Sequence, residues 1–443
     1  MCRGRNAFDI IGSSPAALPP ETTANVDGRT TIDRTTLGRS KRLMTTGILQ
    51  ASAATTPRSL FGVVVSPEWE LLLATASALD QTATLRRLVK QPLDWALFER
   101  LAETHGLLPM AAARLGADPA LLPGPVVQEL RAICEENARR GLWFAGELFF
   151  VLETLGKAGI DAIPFKGPTL AVIAQGDLIL RQFSDLDILI LRRDWPRAKK
   201  ALLEAGLTAK HKLSPREEEA FVASACDFTF HHGRARNVLE IHWDLVPHFF
   251  SIEIPLRQLL ARATNIDLCG RRVPTLTPED LLLCLAVHGA KHAWSRLCWL
   301  SDIAHLIQRA DLDQDTVRRR ADRWHIARIV KISLFLSQWA LGTELPGSLQ
   351  TWIQEDQEAG RVAQILFRNL FSDNKIRTES RTYFQLMARQ REHPSDRLRM
   401  WARLATTSSL SEWRAVKLPD SLFPLYGAVR FWRLSRRLFR GRL

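Results

Sequence analysis

The chain has 443 residues, 46 % of them hydrophobic, which suits two or three domains with real cores and excludes general disorder. Its formal net charge of +13 is unevenly spread: residues 1–60 carry +4, residues 375–443 carry +11, and the body between them carries −2. A protein that grips a polyanion places its basic residues along the working face, so nucleic acid is not the expected partner, and a small-molecule, peptide or protein acceptor is favoured.

The six cysteines (Cys2, Cys134, Cys226, Cys269, Cys284, Cys298) show no C-x-x-C spacing, which argues against a zinc site or a disulfide framework and for reduced thiols in the cytoplasm. No apolar run reaches the ~18–20 residues of a membrane span. The N-terminus lacks the apolar stretch of a signal peptide. Residues 1–60, rich in Thr, Ser, Gly, Arg and Pro, read as a disordered extension, or as sequence upstream of a start near Met44.

Helical patterning begins near Pro67, and residues 61–158 read as a helical region. Leu93 to Leu115 repeats apolar residues at three and four spacing, the pattern of an amphipathic helix pair. A long helix is expected from about Val126 to Ala158, with Gly159 just past its end. The pattern then changes. Ile160–Phe165 reads as a strand, Pro168–Gln175 as a helix, and Leu186–Leu191 as a buried strand. A helix follows from Asp194, read as N-cap, to Glu204, and then strands over Cys226–His231 and Asn237–Asp244. Helices resume over 251–371, opened by Thr277-Pro-Glu-Asp280. Residues 372–400 read as a polar linker and 401–443 as a basic amphipathic segment. The expected fold is α+β, a small mixed sheet at 159–250 inserted between N-terminal and C-terminal helical regions.

The chemistry lies in Ser184-Asp-Leu-Asp187. Residues i and i+2 of a strand share a face, so Asp185 and Asp187 project together. Adjacent like charges are costly unless a cation sits between them, and Mg²⁺ (or Mn²⁺) is the natural one. Glu240 alternates onto one face with Val238 and His242 and is the expected third carboxylate, with Asp244 as competitor. Together they suit a metal-assisted in-line displacement. His288 and His292 share a helix face but lack the glutamate of H-E-x-x-H, which excludes a zincin. They line the acceptor side of the cleft, as His242 would, or pack in the core.

Phe165-Lys-Gly-Pro-Thr169, Arg181-Gln-Phe-Ser-Asp-Leu-Asp187, Val238-Leu-Glu-Ile-His-Trp-Asp244, and Val287-His-Gly-Ala-Lys-His292 with Trp299-Leu-Ser-Asp302 stand in that order. They resemble a bacterial branch, the NTP-transf-5 type, of the nucleotidyltransferase (DNA polymerase beta-like) superfamily, over roughly residues 90–310. The resemblance implies that the sheet is a nucleotidyltransferase core. It also implies that Lys166, Gly167, Arg181 and Ser184 meet a nucleoside triphosphate. The superfamily usually carries Gly-Ser where this chain has Lys166-Gly167. Gly167 is alternatively a simple tight turn, and Arg181 alternatively a salt-bridge partner for Asp185 or Asp187. The implied activity is transfer of a nucleoside monophosphate to a hydroxyl or phosphate of an unknown acceptor. Two alternatives are an inactive nucleotide- or partner-binding module and a toxin-like tRNA nucleotidyltransferase. The Arg-rich, aromatic C-terminus, with Phe423, Trp432, Leu434, Leu438 and Phe439 among Arg430 to Arg442, suits either peripheral membrane contact or docking on the body with its arginines solvated.

Overall fold

The computed structural model describes residues 59–233, 237–378 and 380–439. The expected N-terminal extension, the terminal arginines Arg440 and Arg442, and the side chains of Leu434, Arg437, Leu438 and Phe439 lie outside what it describes.

Helices form where the sequence supplies caps and a periodic apolar face. Ser66 Oγ accepts from the Trp69 amide to open Pro67–Ala76, and Asp94 does the same for Trp95–Thr104, which pairs with Leu108–Gly116 as expected. The long helix runs Gly124–Lys157 and ends at Ala158, after which Gly159 turns the chain with φ +67°. Thr277 caps Pro278–Lys291 through a hydrogen bond from the Asp280 amide.

Five strands form the central sheet: β1 (Ile163–Pro164), β2 (Asp185–Leu189), β3 (Thr208–Ala209), β4 (Asp227–His232) and β5 (Asn237–His242). Their spatial order is β1-β2-β5-β4-β3. β2 and β5 pair in parallel at the centre, and the other pairings are antiparallel. Strand alternation gives the sheet two unlike faces. One carries Leu186, Ile188, Phe228, Phe230, Leu239 and Ile241, buried against Phe144, Leu148 and Val151 of the long helix and Trp195 and Leu202 of Trp195–Glu204. Each such side chain contributes ~1.5–3 kcal/mol on burial. The other face carries the aspartates. It meets Pro278–Lys291 and Leu297–Ile307, where Phe165 and Leu189 join the helical core.

Three sequence expectations change. Asp194 is not a side-chain cap: its backbone (φ −88°, ψ −8°) already belongs to a short 3₁₀ turn, and its carboxylate accepts from Arg197 at 2.6 Å. The expected linker 372–400 contains the helix Arg381–Arg389 and the start of Pro394–Thr406. There the polar residues hide a buried stripe of Tyr383, Phe384, Leu386 and Met387. The C-terminal helix Tyr426–Phe439 docks with Arg436 exposed, but Arg430 and Arg433 are not solvated: both pair with the buried Glu412. Two elements fall outside the sequence expectations, the capped helix Pro215–Ser224 and the hairpin Thr264–Leu268 with Arg271–Thr275. Among the described residues, no helix is long and apolar enough to cross a membrane.

Candidate active site

The site is assembled by register. Parallel pairing of β2 and β5 sets Asp185 opposite Val238, Asp187 opposite Glu240 and Leu189 opposite His242. The β5–β4 pairing extends the row, with Thr229 opposite Glu240 and Asp227 opposite His242. Asp185, Asp187, Glu240, His242 and Asp227 therefore occupy one face over three adjacent strands.

Asp187 is the electrostatic centre. It is 2 % exposed, and its Oδ1 accepts from Lys166 Nζ at 2.6 Å and from His242 Nε2 at 3.0 Å. Burial works against its charge, but Lys166 and the His242 hydrogen bond outweigh it and hold the carboxyl well below the usual range. Burial likewise opposes the His242 cation. Hydrogen bonding with Asp187, Cys226 and Glu240 overcomes that and keeps the imidazole protonated well above its ordinary range. Phe165 walls the pair edge-on to His242, its ring centroid 4.9 Å from Lys166 Nζ.

Asp185 differs. It is half-buried, and desolvation and then the charge of Asp187 push its pKa up to about 6, against the pull of Lys166. Glu240 lies beside the pair, its Oε2 3.5 Å from His242 Nε2. Ligand-type atoms of Asp187, Glu240 and His242 lie within 4.8 Å of one another. Two carboxylates in that space, beside a third raised in pKa by burial and then by its neighbour's charge, form a donor set suited to a hard divalent cation. The competing Asp244 lies past the end of β5, accepts from the Leu245 amide and pairs with Arg192 at 3.5 Å. Register brings Glu240, not Asp244, to Asp187.

Gly167 opens the helix Pro168–Gln175 with φ +65° and ψ −137°, a region that essentially only glycine occupies. A Cβ there would lie 3.4 Å from the Asp185 carbonyl oxygen. The turn thus presses against β2 beside the aspartates. Ser184 is exposed just ahead of that strand.

Arg181 does not reach Asp185 or Asp187 by hydrogen bond or ion pair. Its Nε donates to both oxygens of Asp302, at 3.2 and 3.1 Å, and both side chains are buried. The Arg181 carbonyl is in turn held by Asn137 of the long helix. His288 and His292 form an aromatic group with Trp299, each ring 5.2 Å from the indole. Burial, followed by nearby lysines, depresses both imidazoles, His292 to about 3. His242 is a buried partner of Asp187 rather than a group open to an acceptor.

Sequence reasoning missed the neighbouring set Cys226, Asp227 and Lys291. Lys291 Nζ sits 3.7 Å from Asp227 and 3.5 Å from Cys226 Sγ, and the thiol donates to Asp227 at 2.9 Å. Burial and Asp227 push the thiol upward in pKa, so it is no nucleophile. The available signal was strand alternation, which places Asp227 on the face of Glu240 once the β4–β5 register is known.

A sequence model describing uncharacterised nucleotidyltransferases matches residues 91–342, which spans the sheet, the glycine turn and both histidines. The chain belongs to that family. Membership of this nucleotidyltransferase family points to nucleotidyl transfer as the activity. No curated protein and no solved structure matches the chain significantly.

Proposed function

We propose that this chain is a Mg²⁺- or Mn²⁺-dependent enzyme of the nucleotidyltransferase core type, transferring a nucleoside monophosphate from a nucleoside triphosphate to a hydroxyl or phosphate of an acceptor. The observation that carries the reading is the β2–β5 register, which sets Asp187 against Glu240 with Asp185 on the same face. Asp185, Asp187 and Glu240 would hold the divalent ion, which when bound supplies Lewis acidity at the α-phosphate and lowers the pKa of an attacking hydroxyl.

The protein groups divide the remaining work. Lys166 and His242 keep Asp187 ionised and fixed in one orientation. Gly167 lays the turn against β2 beside the aspartates, so the triphosphate would lie on the side of the sheet where that turn ends. Ser184, exposed beside Asp185, would contact the same triphosphate. Arg181 acts through position, because its guanidinium is held by Asp302. On the far side of Asp187 from the turn, Glu240 would take the acceptor's proton, with the Lys291–Asp227 pair beside it. The net charge of −2 over residues 61–374 supports a small-molecule, peptide or protein acceptor over nucleic acid.

Pyrophosphate release tests the reading: the protein is incubated with each of the four triphosphates, either metal and a cell extract as acceptor source. Wild type is expected to release pyrophosphate, and Asp185→Asn to abolish release. Retained turnover in a folded Asp185→Asn/Asp187→Asn variant would sink the proposal. One observation favours a second reading, a nucleotide-binding module without catalysis: a lysine already neutralises Asp187. Calorimetric binding of a triphosphate with no pyrophosphate release in any extract would select it.

A further inference from the structure

The C-terminal helix Tyr426–Phe439 is held to the body largely by its charged side. Arg430 donates from Nε to the Leu404 carbonyl at 2.7 Å, and its Nη1 pairs with Glu412 at 3.2 Å. Arg433 donates to the Ser411 carbonyl at 2.6 Å and to Glu412 at 2.9 Å. The apolar part of the grip is small: Tyr426 and Val429 meet Trp413 and Phe423. An amphipathic helix serving only its own domain turns its aromatic residues inward and its arginines outward. Among the described side chains, part of this helix does the reverse: Arg430 and Arg433 turn inward while Phe431 and Trp432 face out. Phe431 is 62 % and Trp432 59 % exposed, and Leu425, in the 3₁₀ turn just before the helix, is 50 % exposed. Arg436 lies over the Trp432 ring at 5.3 Å.

We infer that this outward face is a docking surface for an anionic lipid bilayer. Exposed aromatic residues flanked by arginine match the chemistry of the membrane interface, where indole and phenyl rings enter the headgroup region and cations meet acidic lipids. Charge complementarity selects the occupant. Arg389, Arg403, Arg430 and Arg433 are paired with acids, but Arg436 is exposed over Trp432, and the chain's formal charge of +13 leaves an excess of cations for acidic lipid to meet. The attachment is peripheral, because no described helix can cross the bilayer. It does not depend on the proposed activity, since none of these residues belongs to the sheet's carboxylate face.

The full-length protein is sedimented with vesicles of phosphatidylcholine alone and of phosphatidylcholine mixed with phosphatidylserine. Binding is expected only to the mixed vesicles, weakening steeply with added salt. Phe431→Ser/Trp432→Ser is expected to weaken it at least about tenfold through lost apolar insertion. The double variant removes only exposed side chains, so its unfolding temperature should match wild type. Failure of wild type to bind mixed vesicles overturns the inference, as does undiminished binding by the double variant. Concentration-dependent self-association that the double variant abolishes, without vesicle binding, would assign the face to a second copy of the chain instead.

Discussion

Asp185 and Asp187 stand two residues apart on one face of one strand, yet they sit in opposite electrostatic states. Asp187 is buried between two cations, while Asp185 is half-buried with a pKa pushed up to about 6 by desolvation and by its neighbour. Removing a charge has opposite consequences at the two positions. Asp187→Asn leaves Lys166 and His242 buried without their counter-ion and is expected to cost roughly 3 kcal/mol, as is Lys166→Met. Asp185→Asn relieves repulsion and is expected to leave stability within ~1 kcal/mol of wild type, or above it, while removing turnover. Chemical denaturation of the three variants checks this, and a destabilised Asp185→Asn would contradict it. Both carboxylates were legible in the sequence from D-x-D and strand alternation. Their inequality was not, because it depends on the turn at Gly167 delivering Lys166 to one of them.

At the scale of elements, the shared face of β2, β5 and β4 depends on which strands pair and in what register. The alternation of Val238, Glu240 and His242 could be read locally, but a parallel pairing of β2 with β5 is a contact between distant segments. Helices were more readable, since their caps and terminal glycines lie within a few residues of the ends they define. The segment 372–400 looks like a linker by composition because arginines flank the short buried stripe of its helix. The partner of Arg181 was also beyond local reading, since Asp302 lies 121 residues away. That pair ties the loop before β2 to the helix Leu297–Ile307. Arg181→Ala or Asp302→Ala, each stranding a buried charge, is expected to cost about 3–5 kcal/mol, whereas Arg181→Met/Asp302→Leu should cost much less than the sum. A double-mutant cycle from denaturation midpoints measures the coupling, and strict additivity would refute it.

For the molecule as a whole, acid sensitivity follows from histidines that fold neutral. His105 Nδ1 accepts from the Leu297 amide at 3.1 Å, a role closed to the protonated ring, and burial lowers its pKa to about 3. His305 sits between the Ser301 carbonyl and Arg114 and falls to about 4, again chiefly through burial. Both folded values lie below the ordinary 6.5, so the unfolded chain takes up protons that the native one refuses. The contribution is full above pH 6.5 and declines as pH falls toward 4 and then 3. The slope is about 1.4 kcal/mol per pH unit for each ring. Denaturation midpoints at pH 7.5 and 5.0 should therefore differ, and the difference should shrink in His105→Gln if that variant folds. The Arg181–Asp302 pair also has a kinetic meaning. A hinge that parted the sheet from the helices above it would have to tear two buried charges from each other on every cycle. The molecule is latched at that point, sheet to helix, by a pair of charges that water does not reach.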